Sequence, residues 1–138
     1  MTKRRKAREI ALQLLYQLDM VGDDDPTARA ADFWAHHPVD ERGRAFADEL
    51  VRGTRARQAE IDRLITQYAE HWELDRMAVV DRNILRLAVY ELLWHAEVPP
   101  KVAINEAIEM AKKFGTKDSG RFINGVLDRV NKELRPAS

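Results

Sequence analysis

Apolar residues recur at intervals of three and four along nearly the whole chain, and this periodicity constrains the fold more than any other feature of the sequence. In the first segment the repeat consists of Ala7, Ile10, Ala11, Leu14, Leu18 and Val21, and it ends at Gly22. An α-helix places residues at this spacing on one face, whereas a half-buried strand requires strict alternation. Only 6 glycines and 5 prolines interrupt the 138 residues. The sequence therefore predicts an all-α protein.

The rest of the chain predicts a compact bundle of about seven helices. The segments expected to be helical after the first are 27–36, 40–72, 77–94, 102–114 and a last one that Asp118 or Ser119 would cap. Gly53 is a candidate kink or break within the long second pattern, and Gly115 is expected at a helix C-terminus. Because the segment from Met77 to Trp94 is apolar around most of its circumference, we expect it to be the central buried helix.

The length and composition exclude several classes of protein. Domains usually contain ~100–150 residues, so residues 1–138 are expected to form a single all-helical domain. The absence of cysteine excludes disulfides, thiolate metal sites and a cysteine nucleophile. No apolar run approaches the ~18 residues of a membrane span, and the basic N-terminus lacks a signal-peptide cleavage pattern. We expect a cytoplasmic protein without membrane contact.

Charge is balanced overall but unevenly distributed. Lys plus Arg and Asp plus Glu each number 23, so net charge does not favour nucleic acid. Two basic groups nevertheless stand out, and they are Lys3, Arg4, Arg5, Lys6 and Arg8 near the start and Lys112, Lys113, Lys117 and Arg121 near the end. Either group alone is more typical of a solvated helix face than of a binding site.

One flank of the first helix combines basic and aromatic residues. Helical geometry aligns Arg5, Arg8, Leu12 and Tyr16 at spacings of three, four and four, away from the apolar face. This combination suits single-stranded RNA, whose phosphates need cations and whose unpaired bases stack on rings. The alternative is that Tyr16 packs beneath another helix while the arginines face solvent. Phe122, which follows Arg121, has the same two interpretations.

The sequence contains no convincing catalytic, metal or cofactor site. The segment Gly120 to Gly125 has the glycine spacing of a phosphate-binding loop but lacks the Lys and Ser/Thr that must follow. The histidines are His36, His37, His71 and His95, and they form no HExxH motif. We therefore predict that the protein is not an enzyme and uses no metal or cofactor.

Several motifs resemble the NusB family. They are ILRLAVYEL over 84–92, VPPKVAINEAIE over 98–109, KFG over 113–115 and DSGRFINGVLD over 118–128. The arginine-rich first helix, with Ala7-Arg8-Glu9 and Leu15-Tyr16, is similar to the family's N-terminal helix. The resemblance extends along the whole chain and is strongest from about 81 to 128.

This resemblance implies a transcription antitermination factor. NusB proteins bind the boxA element of nascent ribosomal RNA transcripts together with the ribosomal protein NusE in the transcription elongation complex. We expect this chain to bind boxA as single-stranded RNA. The implied RNA-facing residues are Arg4, Arg5, Lys6, Arg8, Tyr16, Asp118, Ser119, Arg121 and Phe122. The residues implied to face NusE are Asp81 and Leu85.

Two other functions remain open from the sequence. A similar helical domain precedes the catalytic domain of some ribosomal RNA cytosine methyltransferases, but that enzyme also needs a Rossmann-like domain and a cysteine nucleophile. A protein-only interaction module is the third interpretation, and it predicts no salt-sensitive RNA affinity. The sequence also leaves open whether the protein is a monomer or a homodimer formed through the first helix.

Overall fold

The computed structural model describes residues 3–22, 26–37, 39–70, 72–95 and 97–134. Within these ranges the chain forms seven α-helices and one 3-10 turn, and it contains no strand, in agreement with the predicted all-α fold. The elements are α1 Lys3–Val21, α2 Pro26–His36, α3 Glu41–Ala56, α4 Gln58–Tyr68, the 3-10 turn Leu74–Arg76, α5 Val79–Trp94, α6 Pro100–Phe114 and α7 Ser119–Leu134. No described helix is both long and apolar enough to cross a membrane.

Helix α5 is the central element, as its hydrophobicity predicted. It packs against α1, α3, α4, α6 and α7, and every residue from Asn83 to Leu92 is buried. A helix that is covered on all sides needs apolar residues around its circumference. The polar exceptions, Asn83, Arg86 and Glu91, are paired with partners on other elements, because a buried polar group without a partner is costly.

The long helical pattern that starts at Asp40 is broken at Arg57 and not at Gly53. The Asp40 side chain accepts a hydrogen bond from the Gly43 amide and caps α3, which runs through Gly53 to Ala56. Gly53 instead provides space, because a Cβ atom there would collide with the ring of Tyr90. This glycine therefore allows α3 to approach α5 closely.

Partly buried ion pairs hold α1 against α5. Asp19 near the end of α1 accepts hydrogen bonds from Arg82, Asn83 and Arg86, all at 2.9 to 3.0 Å. Burial by itself would raise the pKa of the Asp19 carboxyl, but hydrogen bonds from Asn83 and Arg82 and the charge of Arg86 outweigh it and lower that pKa. Arg86 also binds Asp62 of α4, so this network joins three helices.

Candidate nucleic-acid interface

The exposed cations at the start of α1 lie close to acidic groups. Arg4 is half-exposed, and its guanidinium lies 3.2 Å from Glu97 and 4.6 Å from the ring centre of Phe46. Arg5 donates a hydrogen bond of 2.9 Å to Glu106, whose bond and charge raise the pKa of the arginine. Lys6 is exposed. A phosphate that binds here would compete with Glu97 and Glu106 for the two guanidinium groups.

The environment of Arg8 does not match the expectation that this residue contacts phosphate. Only 3% of its side chain is exposed, and its Nε and Nη2 atoms donate to the Glu91 carboxylate at 2.8 to 3.1 Å. Helix α1 packs against α3 and α5 on this flank, which also buries Leu12. In this structure Arg8 is a buried structural residue, and we leave it out of the RNA-facing surface.

Tyr16 lies farther along the same flank but reaches solvent. Its exposed fraction is 37%, while its neighbours Leu14 and Leu15 are fully buried. The flank predicted from helical geometry is therefore divided, with a covered part at Arg8 and Leu12 and an accessible ring at Tyr16. An accessible ring is what a stacking contact with a base requires.

The second predicted group surrounds the turn between α6 and α7. Asp118 and Arg121 are exposed, whereas Ser119 is buried and Phe122 is half-buried. The Ser119 hydroxyl accepts a hydrogen bond from the Thr116 amide, so it shapes the turn instead of facing solvent. Gly115 ends α6 as predicted, and it has no room for a Cβ because the Ser119 hydroxyl is too close.

An aromatic pair and two carboxylates meet in one cavity beside this turn. The cavity has a volume of about 300 Å³ and is lined by Trp72, Met77, Ala78, Asp81, Thr116, Asp118, Ser119 and Phe122. The ring centres of Trp72 and Phe122 are 5.7 Å apart at an interplanar angle of 61°. Trp72 was missed by sequence analysis, although it is the tryptophan at which the long helical pattern fades.

The two residues expected to face NusE occupy different environments. Asp81, in the first turn of α5, is half-buried and lines the cavity described above. Leu85 is fully buried in the core. It lies one turn further along the central helix, where neighbouring helices cover it. Leu85 therefore cannot contact a partner in this structure, which corrects the expectation.

Cavities that share lining residues extend from the first helix to the aromatic pair. Lys113 lines a first cavity, beside Lys6 and Gln13, and a second cavity, beside Arg5. Lys112 lines this second cavity and also a third one. The third contains Lys112, Lys117 and Arg121, and it shares Thr116 with the cavity of Trp72 and Phe122. The Lys113 ammonium lies 2.7 Å from Glu9 and joins α6 to α1. Three glutamates, Glu9, Glu106 and Glu109, also line the first two of these cavities. We name this series of cavities the cationic track after its Lys and Arg side chains.

The described residues contain no group of three or more His, Asp or Glu side chains placed to hold a metal ion.

His36 and His37 line one end of the cationic track, and each ring Nδ1 lies within 3.0 Å of a backbone carbonyl four residues earlier. Because a carbonyl only accepts, the Nδ1 atom of each ring is the donor in these hydrogen bonds.

Comparisons with known proteins show which family the sequence matches. The sequence model of the NusB family matches residues 5–132. Transcription antitermination protein NusB of Desulfosudis oleivorans is 48% identical over 136 residues, which cover 97% of this chain and 88% of that protein. The expectation that the chain is not an enzyme agrees with this description of the relative.

Solved structures show the same fold. A structure of T. maritima NusB is 41% identical with a TM-score of 0.90, covering 98% of this chain and 94% of that one. A structure of antitermination factors NusB and NusE in complex with dsRNA contains a chain that is 29% identical, with a TM-score of 0.86 and coverage of 96% and 98%. The family match, the relatives and the shared fold establish that this chain belongs to the NusB family.

Proposed function

We propose that this chain is a cytoplasmic transcription antitermination factor, a single all-helical RNA-binding domain that binds boxA RNA of ribosomal RNA transcripts together with NusE. The observation that carries this proposal is the cationic track, because it joins two groups of residues that are more than 100 positions apart in the sequence. The family relationship supports the same function.

Each group of side chains has a distinct role in the proposed complex. Arg4, Arg5, Lys6 and Arg121 neutralise phosphates, and Arg and Lys contacts of this kind make affinity depend on salt. Tyr16 and Phe122 provide ring faces for bases. Asp118 lies at the exposed rim, and buried Ser119 holds the turn that positions it. No covalent step is involved.

The proposed RNA is single-stranded, although the solved NusB and NusE complex contains dsRNA. A base in a duplex is stacked and paired, so its face and its hydrogen-bonding edge are not available to side chains. The half-buried ring of Phe122 and the exposed ring of Tyr16 can stack only on an unpaired base. A duplex of the same sequence should therefore bind more weakly than the single strand.

The proposed NusE surface lies at the start of α5 around Asp81, and Leu85 is left out of it because it is buried. RNA at the turn between α6 and α7 and a protein bound at Asp81 would then be neighbours. Such an arrangement allows the two partners to stabilise each other's binding, and it provides the route by which the protein would join the elongation complex.

The decisive experiment measures binding of a boxA RNA to the protein, with and without NusE, across a series of salt concentrations. We expect affinity that falls as salt rises and that increases when NusE is present. Absence of RNA binding in both conditions at low salt would contradict the proposal and favour the protein-only module. Sedimentation of the free protein and the complex determines whether a homodimer dissociates when RNA binds.

A further inference from the structure

We propose that Trp72 and Phe122 form a pocket for one unpaired base that carries an exocyclic amino group, namely cytosine, adenine or guanine, in preference to uracil. This inference rests on the proposed RNA-binding function, adds Trp72 as a binding residue, and places Asp81 where the base and NusE would meet. It also assigns separate ligands to two neighbouring cavities. The base occupies the cavity of Trp72 and Phe122, and the phosphates occupy the cavity of Lys112, Lys117 and Arg121.

The ring of Trp72 is accessible and its backbone is held in place. The exposed fraction of the residue is 54%, which is large for a tryptophan in a folded chain. The Trp72 amide donates a hydrogen bond to the carbonyl of Ala69 just beyond α4, which fixes the backbone that carries the ring. Two rings in edge-to-face contact offer a base one face to stack on and one edge to pack against.

The charged groups in this cavity require hydrogen-bond donors. Both charged lining residues, Asp81 and Asp118, are acidic, and none of the described lining residues is basic. The Oδ1 atom of Asp81 is buried and has no hydrogen-bond partner among the described residues. A buried acceptor without a donor is unfavourable. The two carboxylates also repel an anion, so a ligand that brings an N–H group to this acidic lining is preferred over one that brings an anion.

Exocyclic amines meet this requirement, and the pairing of Asp or Glu with the cytosine amine is an established mode of base recognition. Uracil presents two carbonyl oxygens beside its single N–H, and these oxygens would face the carboxylates unfavourably. The volume of about 300 Å³ lies at the lower end of the range of small-ligand pockets, which suits one base.

The neighbouring cavity has the opposite electrostatic character. It contains Lys112, Lys117 and Arg121, and it shares Thr116 with the base pocket. A nucleotide with its base beside Trp72 could therefore place its phosphate near these cations. Separation of a ring-lined acidic pocket from a basic cavity matches the two chemically different parts of a nucleotide.

The experiment compares three single-stranded oligonucleotides, rC8, rA8 and rU8, bound to the isolated chain without NusE. We expect rC8 and rA8 to bind more tightly than rU8 and to quench tryptophan fluorescence. Trp72→Ala should lower the affinity for rC8 roughly 5- to 150-fold, the effect of losing one stacking contact. Trp72→Phe should retain most of the affinity but lose the quenching, because Trp34 and Trp94 lie outside this pocket.

Matched variants separate the pocket from general effects. Leu134→Ala removes another exposed apolar side chain and should leave binding unchanged. Asp81→Asn and Asp118→Asn should each reduce the preference for rC8 over rU8, since an amide can donate to a uracil carbonyl. Thermal melting shows whether each variant is folded.

Two results would overturn the pocket while leaving the proposed function intact. One is unchanged affinity of Trp72→Ala for rC8 alongside salt-sensitive binding of boxA RNA, and the other is quenching that persists in Trp72→Phe. Failure of the wild-type protein to bind boxA RNA or any of the three oligonucleotides would overturn both proposals.

Discussion

Arg8 and Glu91 form an ion pair in which each side chain is only 3% exposed. Removal of one partner from a buried pair leaves an uncompensated charge and costs about 3–5 kcal/mol. We therefore expect Arg8→Ala to destabilise the protein by that amount in urea unfolding. The double variant Arg8→Met with Glu91→Leu should recover most of the loss, because well-packed apolar residues can replace a buried pair.

The same pair of variants tests whether Arg8 contacts RNA. If Arg8 is structural, the double variant should bind boxA RNA with the salt dependence of the wild type. A flatter salt dependence in a stably folded double variant would show that Arg8 neutralises a phosphate after all. Such a result would require the guanidinium to leave Glu91 when RNA binds.

Among the helices, α3 and α7 provide a direct comparison of two glycines. In Gly53→Ala the new methyl group would collide with the Tyr90 ring, and we expect a loss of about 1–3 kcal/mol from overpacking. Gly125 lies within α7, where a methyl group would meet no atom of another element within 4 Å, so Gly125→Ala should instead stabilise the protein by up to about 1 kcal/mol. Thermal and urea unfolding of both variants check the opposite signs. Equal effects would show that helix propensity, and not contact with α5, governs Gly53.

At the scale of the whole molecule, the network around Asp19 joins α1, α4 and α5 and makes stability depend on pH. The pKa of Asp19 is lowered on folding from its ordinary value of 3.8, so its stabilising effect is fully present above about pH 4. This effect is lost as the pH falls below 3.8 and through the folded pKa. We expect Asp19→Asn to cost about 1–3 kcal/mol at neutral pH and progressively less below about pH 4. A difference between the two proteins that stays constant from neutral to strongly acidic pH would contradict this assignment.

The uneven distribution of charge also acts at the scale of the whole molecule. Neutralising each phosphate of a single strand contributes roughly 0.7 to the slope of log affinity against log salt. We expect Arg4→Ala combined with Arg5→Ala to weaken boxA binding and to reduce the slope by up to about 1.4. As a control, Arg52→Ala combined with Arg63→Ala removes two exposed cations outside the cationic track. Weaker binding with an unchanged slope would argue against phosphate contacts at Arg4 and Arg5.

The periodicity of the sequence by itself determined the all-α fold and the central position of α5, and Gly22 and Gly115 marked the ends of α1 at Val21 and of α6 at Phe114. These features depend on residues close together in the chain, where helical geometry decides which side chains share a face. The same local signals indicated that Tyr16 lies off the apolar face of α1, and its side chain is partly exposed.

Only the tertiary structure decided which flanking residues reach solvent. Arg8 and Tyr16 share a helical flank, yet packing of α3 and α5 covers the first and leaves the second accessible. Leu85 is buried for the same reason, and the space that Gly53 leaves is filled by the Tyr90 ring of another helix. The contact between Trp72 and Phe122 joins residues 50 positions apart. Such contacts follow from how the helices pack. A local sequence pattern carries no information about which distant helix will cover a given side chain.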